Sequence, residues 1–226
     1  MGRAEVPGTA SASATTRLVL IRHGHTLSNS GGTPLLSGRT DVPLSERGGE
    51  EVRRLQARLR GGPGFAAIYT SPLERARRTA EALGEVGLGP VRSCAALEEI
   101  DCGELDGLPL EEVQRRVPEH WAANLRQDDA GFRWPGGESY RELRARALAA
   151  VRAIALAHRG ERVALVTHAG VIGQVFGALE GVSPARWSAY RPGNTALSEL
   201  DWGRGGGRIV SFDDHAHLAD PLPPGD

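Results

Sequence analysis

The sequence predicts an α/β protein, a three-layer α/β/α sandwich around a mainly parallel central sheet. Three short apolar runs rich in branched residues, at 17–21, 66–70 and 162–167, are typical of buried parallel strands. Segments with helical periodicity lie between these runs. Strands that alternate with helices in this way favour parallel pairing, with helices covering both faces of the sheet.

The first predicted helix follows the first strand, within residues 44–60. Val52, Leu55 and Leu59 fall on one face at helical spacing, which indicates a face packed on the sheet. Ser45 stands just before the helix and is a preferred N-cap residue.

Two further helices are predicted by the same reasoning. Residues 72–85 follow the second strand, and Pro72 would lie near the first helical position, where proline is tolerated. Residues 138–160 form a long amphipathic pattern that ends at Gly160, a plausible C-cap.

The late part of the chain alternates apolar and polar residues at 195–202 and 208–215, which predicts two edge strands. The opening residues 1–16 are rich in Ala, Ser and Thr and lack the apolar core of a secretory signal, so we expect a disordered leader. No repeat or linker divides residues 17–226, so we expect one domain there.

Composition excludes several classes of function. The formal net charge of −1 over 226 residues argues against nucleic acid or anionic membrane as a partner. No apolar run approaches the roughly 20 residues of a membrane span. The two cysteines, Cys94 and Cys102, do not form a CxxC pair, which suits a reducing cytoplasm. The chain has no lysine, so Schiff-base chemistry and a P-loop lysine are excluded.

Chemistry-bearing residues follow each of the three strands. The first strand leads into Arg22 and His23, the second into a segment with Arg75, and the third into His168. Ligands of such sheets bind at the carboxyl ends of the strands. A neutral imidazole is a good nucleophile and guanidinium groups neutralise phosphoryl oxygens, so this set predicts histidine attack on a phosphate. Taken singly, Arg75 is equally compatible with a solvated helix charge, and His168 with a buried core histidine.

An ordered set of motifs resembles the histidine phosphatase superfamily, in the branch of the cofactor-dependent phosphoglycerate mutases and many small-molecule phosphatases. The resemblance runs from Arg17 to about Leu200 and implies a phosphoglycerate mutase-like fold. It rests on these segments, in the family's order: "LIRHGHTLSN", "SGRTDVPLSERG", "YTSPLERARRTAEAL", "LEEIDCGELDGL", "PGGES" and "VTHAGVI".

The resemblance implies a role for each matching residue. His23 would be the nucleophile that becomes phosphohistidine, and the remaining phosphate ligands would be Arg22, Arg75, His168 and Asn29. His23 must be neutral to attack, whereas His168 would serve as a cation or as a hydrogen-bond donor to phosphate.

The general acid/base of the family falls on Glu99, and the neighbouring Glu98 is the rival assignment. The spacing to Gly103 and Gly107 favours Glu99. The residues that match the loop at the substrate mouth are Ser37 and Gly38.

The resemblance leaves phosphatase and mutase as the two main activities. Phosphoglycerate mutases resemble this chain through the core, but their glutamate is followed by Arg-His-Tyr, whereas Glu99 is followed by Ile100, Asp101 and Cys102. Where these mutases place a lysine shortly after the glutamate, this chain has Leu110. The segment around 103–137, which we expect to form a small cap, is also shorter than the corresponding segment of the mutases. We therefore expect a phosphatase of small-molecule phosphomonoesters that needs no cofactor and no metal. The alternative is mutase-type phosphoryl transfer between hydroxyls of a sugar or glycerate phosphate.

Other features are assigned less specific roles. His25 is expected in the loop or substrate mouth, and a metal-dependent hydrolase built on His23, His25 and His168 would need a carboxylate at ligand spacing. The run at 213–218 resembles a metal cluster but is expected to be solvated. Ser139 or Glu138 is expected to start the long helix. Homodimers are common among α/β enzymes of this size, so a homodimer is possible.

Overall fold

A computed structural model describes residues 15–29 and 33–219, and its centre is a six-stranded sheet with the order β3-β2-β4-β1-β5-β6. Strands β1 to β4 run parallel to one another, whereas β5 is antiparallel to β1 and β6 is antiparallel to β5. The predicted mainly parallel sheet is therefore confirmed. The strands are β1 Thr16–Arg22, β2 Ala67–Thr70, β3 Val91–Ser93, β4 Arg162–Thr167, β5 Leu197–Gly203 and β6 Gly206–Asp214.

Helices cover both faces of the sheet, and two shorter helices form a cap over its carboxyl edge. The helices that pack on the sheet are α1 Glu46–Arg60, α2 Glu74–Glu85, α5 Tyr140–Ala157 and α6 Ala169–Leu179. The cap helices are α3 Leu110–Arg116 and α4 Pro118–Arg126. Ser45 caps α1 by accepting a hydrogen bond from the N–H of Gly48, and Ser139 caps α5 in a capping box with Glu142.

Alternate residues of the parallel strands point to opposite layers. Leu18 and Leu20 of β1 pack with α5 and α6, whereas Val19 and Ile21 pack with α1 and α2. Strands buried on both faces read as continuous apolar runs, which is why 17–21 and 162–167 were identifiable. The three-layer prediction is therefore confirmed.

The cap has a small apolar core of its own. Cys102, Val113, Phe132, Trp134 and Tyr140 are buried together there. Phe132 stacks against Tyr140 and meets Trp134 edge-on, so its aromatic ring serves packing. Cys102 is buried, Cys94 is half-buried, and both thiols are free.

Several boundaries differ from the prediction. Pro72 precedes α2 by two residues, because Leu73 is the N-cap. Helix α5 ends at Ala157 with His158 as C-cap, and Gly160 lies in the following turn with φ +80°. Strand β5 lies between β1 and β6, so only the second of the two late strands forms an edge.

The predicted leader falls mostly outside the described residues, and β1 begins at Thr16, one residue before the expected boundary. Within the described residues, no helix is both long and apolar enough to cross a membrane.

Candidate active site

A cavity of about 300 Å³ opens at the carboxyl ends of the parallel strands, beneath the cap. The predicted site residues that line it are Arg22, His23, Ser37, Arg75 and Glu99. These residues come from β1, the loop after it, α2 and the segment after β3. The sheet edge therefore gathers groups that are far apart in the chain, as expected for parallel α/β proteins.

His23 is buried and presents a neutral imidazole. Its Nδ1 lies 2.8 Å from the carbonyl oxygen of Gly24. A carbonyl only accepts, so Nδ1 carries the proton and Nε2 keeps its lone pair. Burial lowers the pKa of His23 well below its ordinary value, and the charges of Arg22 and Arg75 lower it further.

The two predicted arginines are held by backbone carbonyls. Arg22 donates to the carbonyl of Pro192 at 2.9 Å, and its Nε atom is buried without a hydrogen-bond partner in the described structure. Burial, with the nearby Arg191, lowers the pKa of Arg22 to about 10, so it remains a cation. Arg75 is 2% exposed and donates to the carbonyls of Thr40 and Gly38. Arg75 is therefore not a solvated helix charge.

His168 is fully buried beside His23 and is not among the residues that line the cavity in the ligand-free structure. Its ring centroid is 5.1 Å from that of His23, and its Nε2 is 2.8 Å from the Ser71 hydroxyl. Burial, then the charge of Arg75, lowers the pKa of His168 well below its ordinary value, which favours the hydrogen-bond donor over the cation among the two expected roles. The Nδ1 atom is buried without a partner in the described structure, which leaves the donor role open to it.

Glu99 is fixed by two backbone N–H groups, one at the N-terminus of α6 and one from the residue that follows Glu99. Oε2 accepts from Gly170 at 3.0 Å, and Oε1 accepts from Ile100 at 3.0 Å. Glu98 instead forms an ion pair with Arg39 at 3.2 Å and does not line the cavity. The structure therefore places Glu99, and not its rival, at the site.

Arg146 of α5 holds the segment that carries Glu99. It pairs with Glu138 through two hydrogen bonds, at 2.9 and 2.6 Å, and it donates to the carbonyls of Ala96 and Glu98. A bidentate pair of this kind fixes the guanidinium plane. The "PGGES" motif thus contributes Glu138 to the support of this segment and Ser139 to the start of α5.

The remaining predicted substrate residues fall in different places. Ser37 lines the cavity, whereas Gly38 does not and contributes its carbonyl to Arg75. The carboxylate of Asp106 accepts from the N–H groups of Gly38, Arg39 and Thr40 and so holds that loop. Asn29 ends a short 3-10 turn, Leu27–Asn29, and its side chain lies outside the described part of the structure.

Four groups at the site were not predicted from the sequence. Ser71 binds His168, the Gly170 N–H binds Glu99, and Asn194 donates to the carbonyl of His23 at 2.9 Å. Arg191 lines the cavity. Of these four, only Ser71 could have been identified from the sequence as a site residue, because it directly follows the second strand.

His25 and the run at 213–218 are structural. His25 is buried, and its ring Nδ1 lies 2.8 Å from the Ser45 hydroxyl. Its backbone N–H donates to the Glu51 carboxylate, so His25 connects the end of β1 to α1. The expectation that 213–218 is solvated is wrong in part, because Asp214 pairs with Arg58 and His217 Nε2 lies 2.9 Å from the Thr195 hydroxyl. No group of metal-ligating side chains is present among the described residues.

Comparison with known proteins agrees with this geometry. The model of the histidine phosphatase superfamily (branch 1) matches residues 18–215. A metal-independent phosphoserine phosphatase of Arabidopsis thaliana is 33% identical, over 73% of this chain and 68% of its own. A probable phosphoglycerate mutase of Yersinia enterocolitica is 30% identical, over 91% of this chain and 96% of its own.

Solved structures show the same likeness. A mycobacterial glucosyl-3-phosphoglycerate phosphatase superposes with a TM-score of 0.76 at 29% identity, covering 88% of this chain and 99% of its own. The chain therefore belongs to branch 1 of the histidine phosphatase superfamily and is a phosphoric monoester hydrolase that acts on small molecules.

Proposed function

We propose that the protein hydrolyses its phosphomonoester through a phosphohistidine on His23, without a metal ion. The observation that carries the proposal is the protonation of the His23 ring, with a proton on Nδ1 and none on Nε2. Nδ1 is committed to the Gly24 carbonyl, so a neutral Nε2 faces a cavity that also holds Arg22 and Arg75. A nucleophile and the cations that neutralise phosphoryl charge are thus present in one place.

In the first step, the Nε2 lone pair of His23 attacks phosphorus as the bond to the ester oxygen breaks. The leaving oxygen takes the bonding pair and receives a proton from Glu99. In the second step, the ionised Glu99 takes a proton from water as the water oxygen attacks phosphorus. The P–N bond then breaks, inorganic phosphate leaves, and His23 is again neutral.

The charged oxygens of phosphate match the groups that lack partners. The buried Nε of Arg22 and Nδ1 of His168 have no hydrogen-bond partner in the described structure. Buried polar groups of this kind cost free energy unless a ligand satisfies them. With the Ser71 hydroxyl donating to Nε2 of His168, Nδ1 carries a proton that a phosphate oxygen accepts. Asn29 remains a prediction for this role, and Ser37 and Gly38 remain predictions for the substrate mouth.

Hydrolysis is favoured over the mutase alternative by the apolar residues of the cavity lining. Leu36, Ile100 and Leu110 are among them, and Leu110 stands where the mutase resemblance expects a lysine. At that position the cavity therefore lacks the cation that would clamp a second anionic group in a mutase. The segment around 103–137, with α3 and α4, is proposed to act as the cap that selects the leaving group.

The two free cysteines support a reducing compartment, and the cytoplasm is the proposed location. A homodimer stays a prediction.

The metal-free mechanism is tested by phosphate release from phenyl phosphate in excess EDTA. Activity should persist, because Arg22 and Arg75 supply the charge neutralisation that a metal would otherwise provide. Activity that disappears in EDTA and returns with a divalent metal would contradict the mechanism. His23→Ala, measured in parallel, gives the background from a contaminating phosphatase.

A further inference from the structure

A third arginine lines the cavity and is not used by the reaction. Arg191 is exposed, and within residues 15–29 and 33–219 no carboxylate forms an ion pair with it. It lies close to the phosphate site, because the carbonyl of the next residue, Pro192, accepts the 2.9 Å hydrogen bond from Arg22. The lowering of the Arg22 pKa by the charge of Arg191 agrees with this proximity.

The cavity holds one guanidinium group more than the phosphoryl group uses. Arg22 and Arg75 lie beside His23, where they neutralise the phosphate, and carboxylates such as Glu51 and Asp106 act on them. Arg191 is the third guanidinium of the lining, and in the described residues it has no carboxylate of its own. A further negative group on the substrate that reaches Arg191 would therefore bind favourably.

Arg191 is carried by a segment that is anchored to the core. The 3-10 turn Pro184–Tyr190 precedes it, and the buried Gln174 donates to the Pro184 carbonyl at 2.9 Å. Arg144 donates to the carbonyl of Val182 at 2.6 Å. Trp187 of the same turn lines the cavity beside Tyr140. The segment therefore presents the Arg191 guanidinium from an anchored backbone.

We propose that Arg191 binds a carboxylate on the leaving group, so that the preferred substrates are phosphomonoesters of hydroxy acids. This inference rests on the proposed function and deepens it. A carboxylate fits better than a second phosphate, because its single charge matches the single charge of the Arg191 guanidinium. Its planar pair of oxygens also suits a guanidinium. The carboxylate would take the place of solvent at the exposed end of Arg191.

The experiment compares substrates that differ in one group. Glycerol 3-phosphate and 3-phosphoglycerate differ by a hydroxymethyl group and a carboxylate, and phenyl phosphate and 3-carboxyphenyl phosphate form a second pair. We expect the wild-type protein to prefer the carboxylate member of a pair in kcat/KM. Arg191→Gln should lower kcat/KM about tenfold for the carboxylate members only. A factor of this size corresponds to the loss of one charged hydrogen bond.

Arg186→Gln is the matched control. Arg186 is exposed within the 3-10 turn that precedes Arg191, and it does not line the cavity. Its loss should therefore leave the preference for the carboxylate substrates unchanged. The preference of the wild type should also fall as salt is raised, because Arg191 is exposed.

Other outcomes overturn the inference. If Arg191→Gln lowers both members of a pair equally, Arg191 belongs to the phosphate site. If the wild type hydrolyses phenyl phosphate and shows no carboxylate preference, the inference fails while the proposed function stands. Failure of the wild type on all four esters would instead contradict the proposed function.

Discussion

Glu99 and Glu98 are adjacent in the chain, yet the structure gives them different partners. Glu99 receives the N–H groups of Gly170 and Ile100 beside the cavity, whereas Glu98 pairs with Arg39 outside it. A carboxylate beside a phosphate dianion repels it, so its presence there is explained by proton transfer. The two glutamates are therefore a matched pair for testing the acid.

Glu99→Gln should lower turnover on an alkyl phosphate by roughly 10²–10⁴-fold, because the leaving oxygen loses its proton donor. An activated aryl phosphate such as p-nitrophenyl phosphate should be less affected in the phosphorylation step. Steady-state and single-turnover kinetics on both esters measure this dependence. Glu98→Gln should leave turnover of both esters unchanged. If Glu98→Gln shows the dependence on the leaving group and Glu99→Gln does not, Glu98 is the acid.

Single residues were predictable here where they follow a strand. His23 and Arg22 directly follow an apolar run, so the carboxyl-edge argument located them. Arg75 was ambiguous, since "RARR" is compatible with a solvated face. Its burial depends on carbonyls of Gly38 and Thr40, more than thirty residues earlier in the chain, which no local pattern reveals.

At the scale of elements, the N-terminus of α6 packs directly on the proposed acid. A Cβ atom added at Gly170 would lie 2.2 Å from Oε1 of Glu99, so any larger residue must displace that carboxylate. The obstructed atom is the end of a flexible side chain, and the fold can accommodate its movement. The close approach of α6 thus matters more for the position of Glu99 than for stability.

Gly170→Ala is therefore expected to keep its melting temperature within a few degrees while losing activity with the leaving-group dependence of Glu99→Gln. Thermal unfolding and the same kinetics measure the two effects. Gly61→Ala is the control, because a Cβ atom there meets nothing within 4 Å. An active Gly170→Ala enzyme would show that the position of Glu99 at this helix is unimportant.

The elements that escaped prediction are short or depend on tertiary contacts. Strand β3 has only three residues, Val91–Ser93, and its side chains are exposed, so no apolar run marks it. The cap helices α3 and α4 contribute to a small aromatic core and not to the sheet. Long amphipathic elements such as α1 and α5 were predicted because their apolar faces repeat over several turns.

Across the whole molecule, three histidines are held neutral by burial. The pKa of His217 is lowered to about 4, and those of His23 and His168 are also well below the ordinary 6.5. The unfolded chain binds protons at these residues below about pH 6.5, whereas the folded protein does not. The stability present above pH 6.5 is therefore lost as the pH falls.

The melting temperature should accordingly decrease between pH 7 and pH 5, as measured by calorimetry or circular dichroism. His217→Gln should show a smaller decrease than the wild type, because one of the three groups has been removed. His217 lies outside the cavity, so activity at pH 7 provides the check that this variant is folded. A melting temperature that rises towards pH 5 would contradict the neutral state of these rings.

The central claim is the covalent intermediate, and rapid-quench mass spectrometry at alkaline pH tests it most directly, since phosphohistidine survives there. Glu99→Gln mixed with p-nitrophenyl phosphate should accumulate one phosphoryl group on His23, because the water attack has lost its base. His23→Ala should acquire none and turn over no substrate. Phosphorylation of another residue, or near-normal turnover by His23→Ala, would contradict the account.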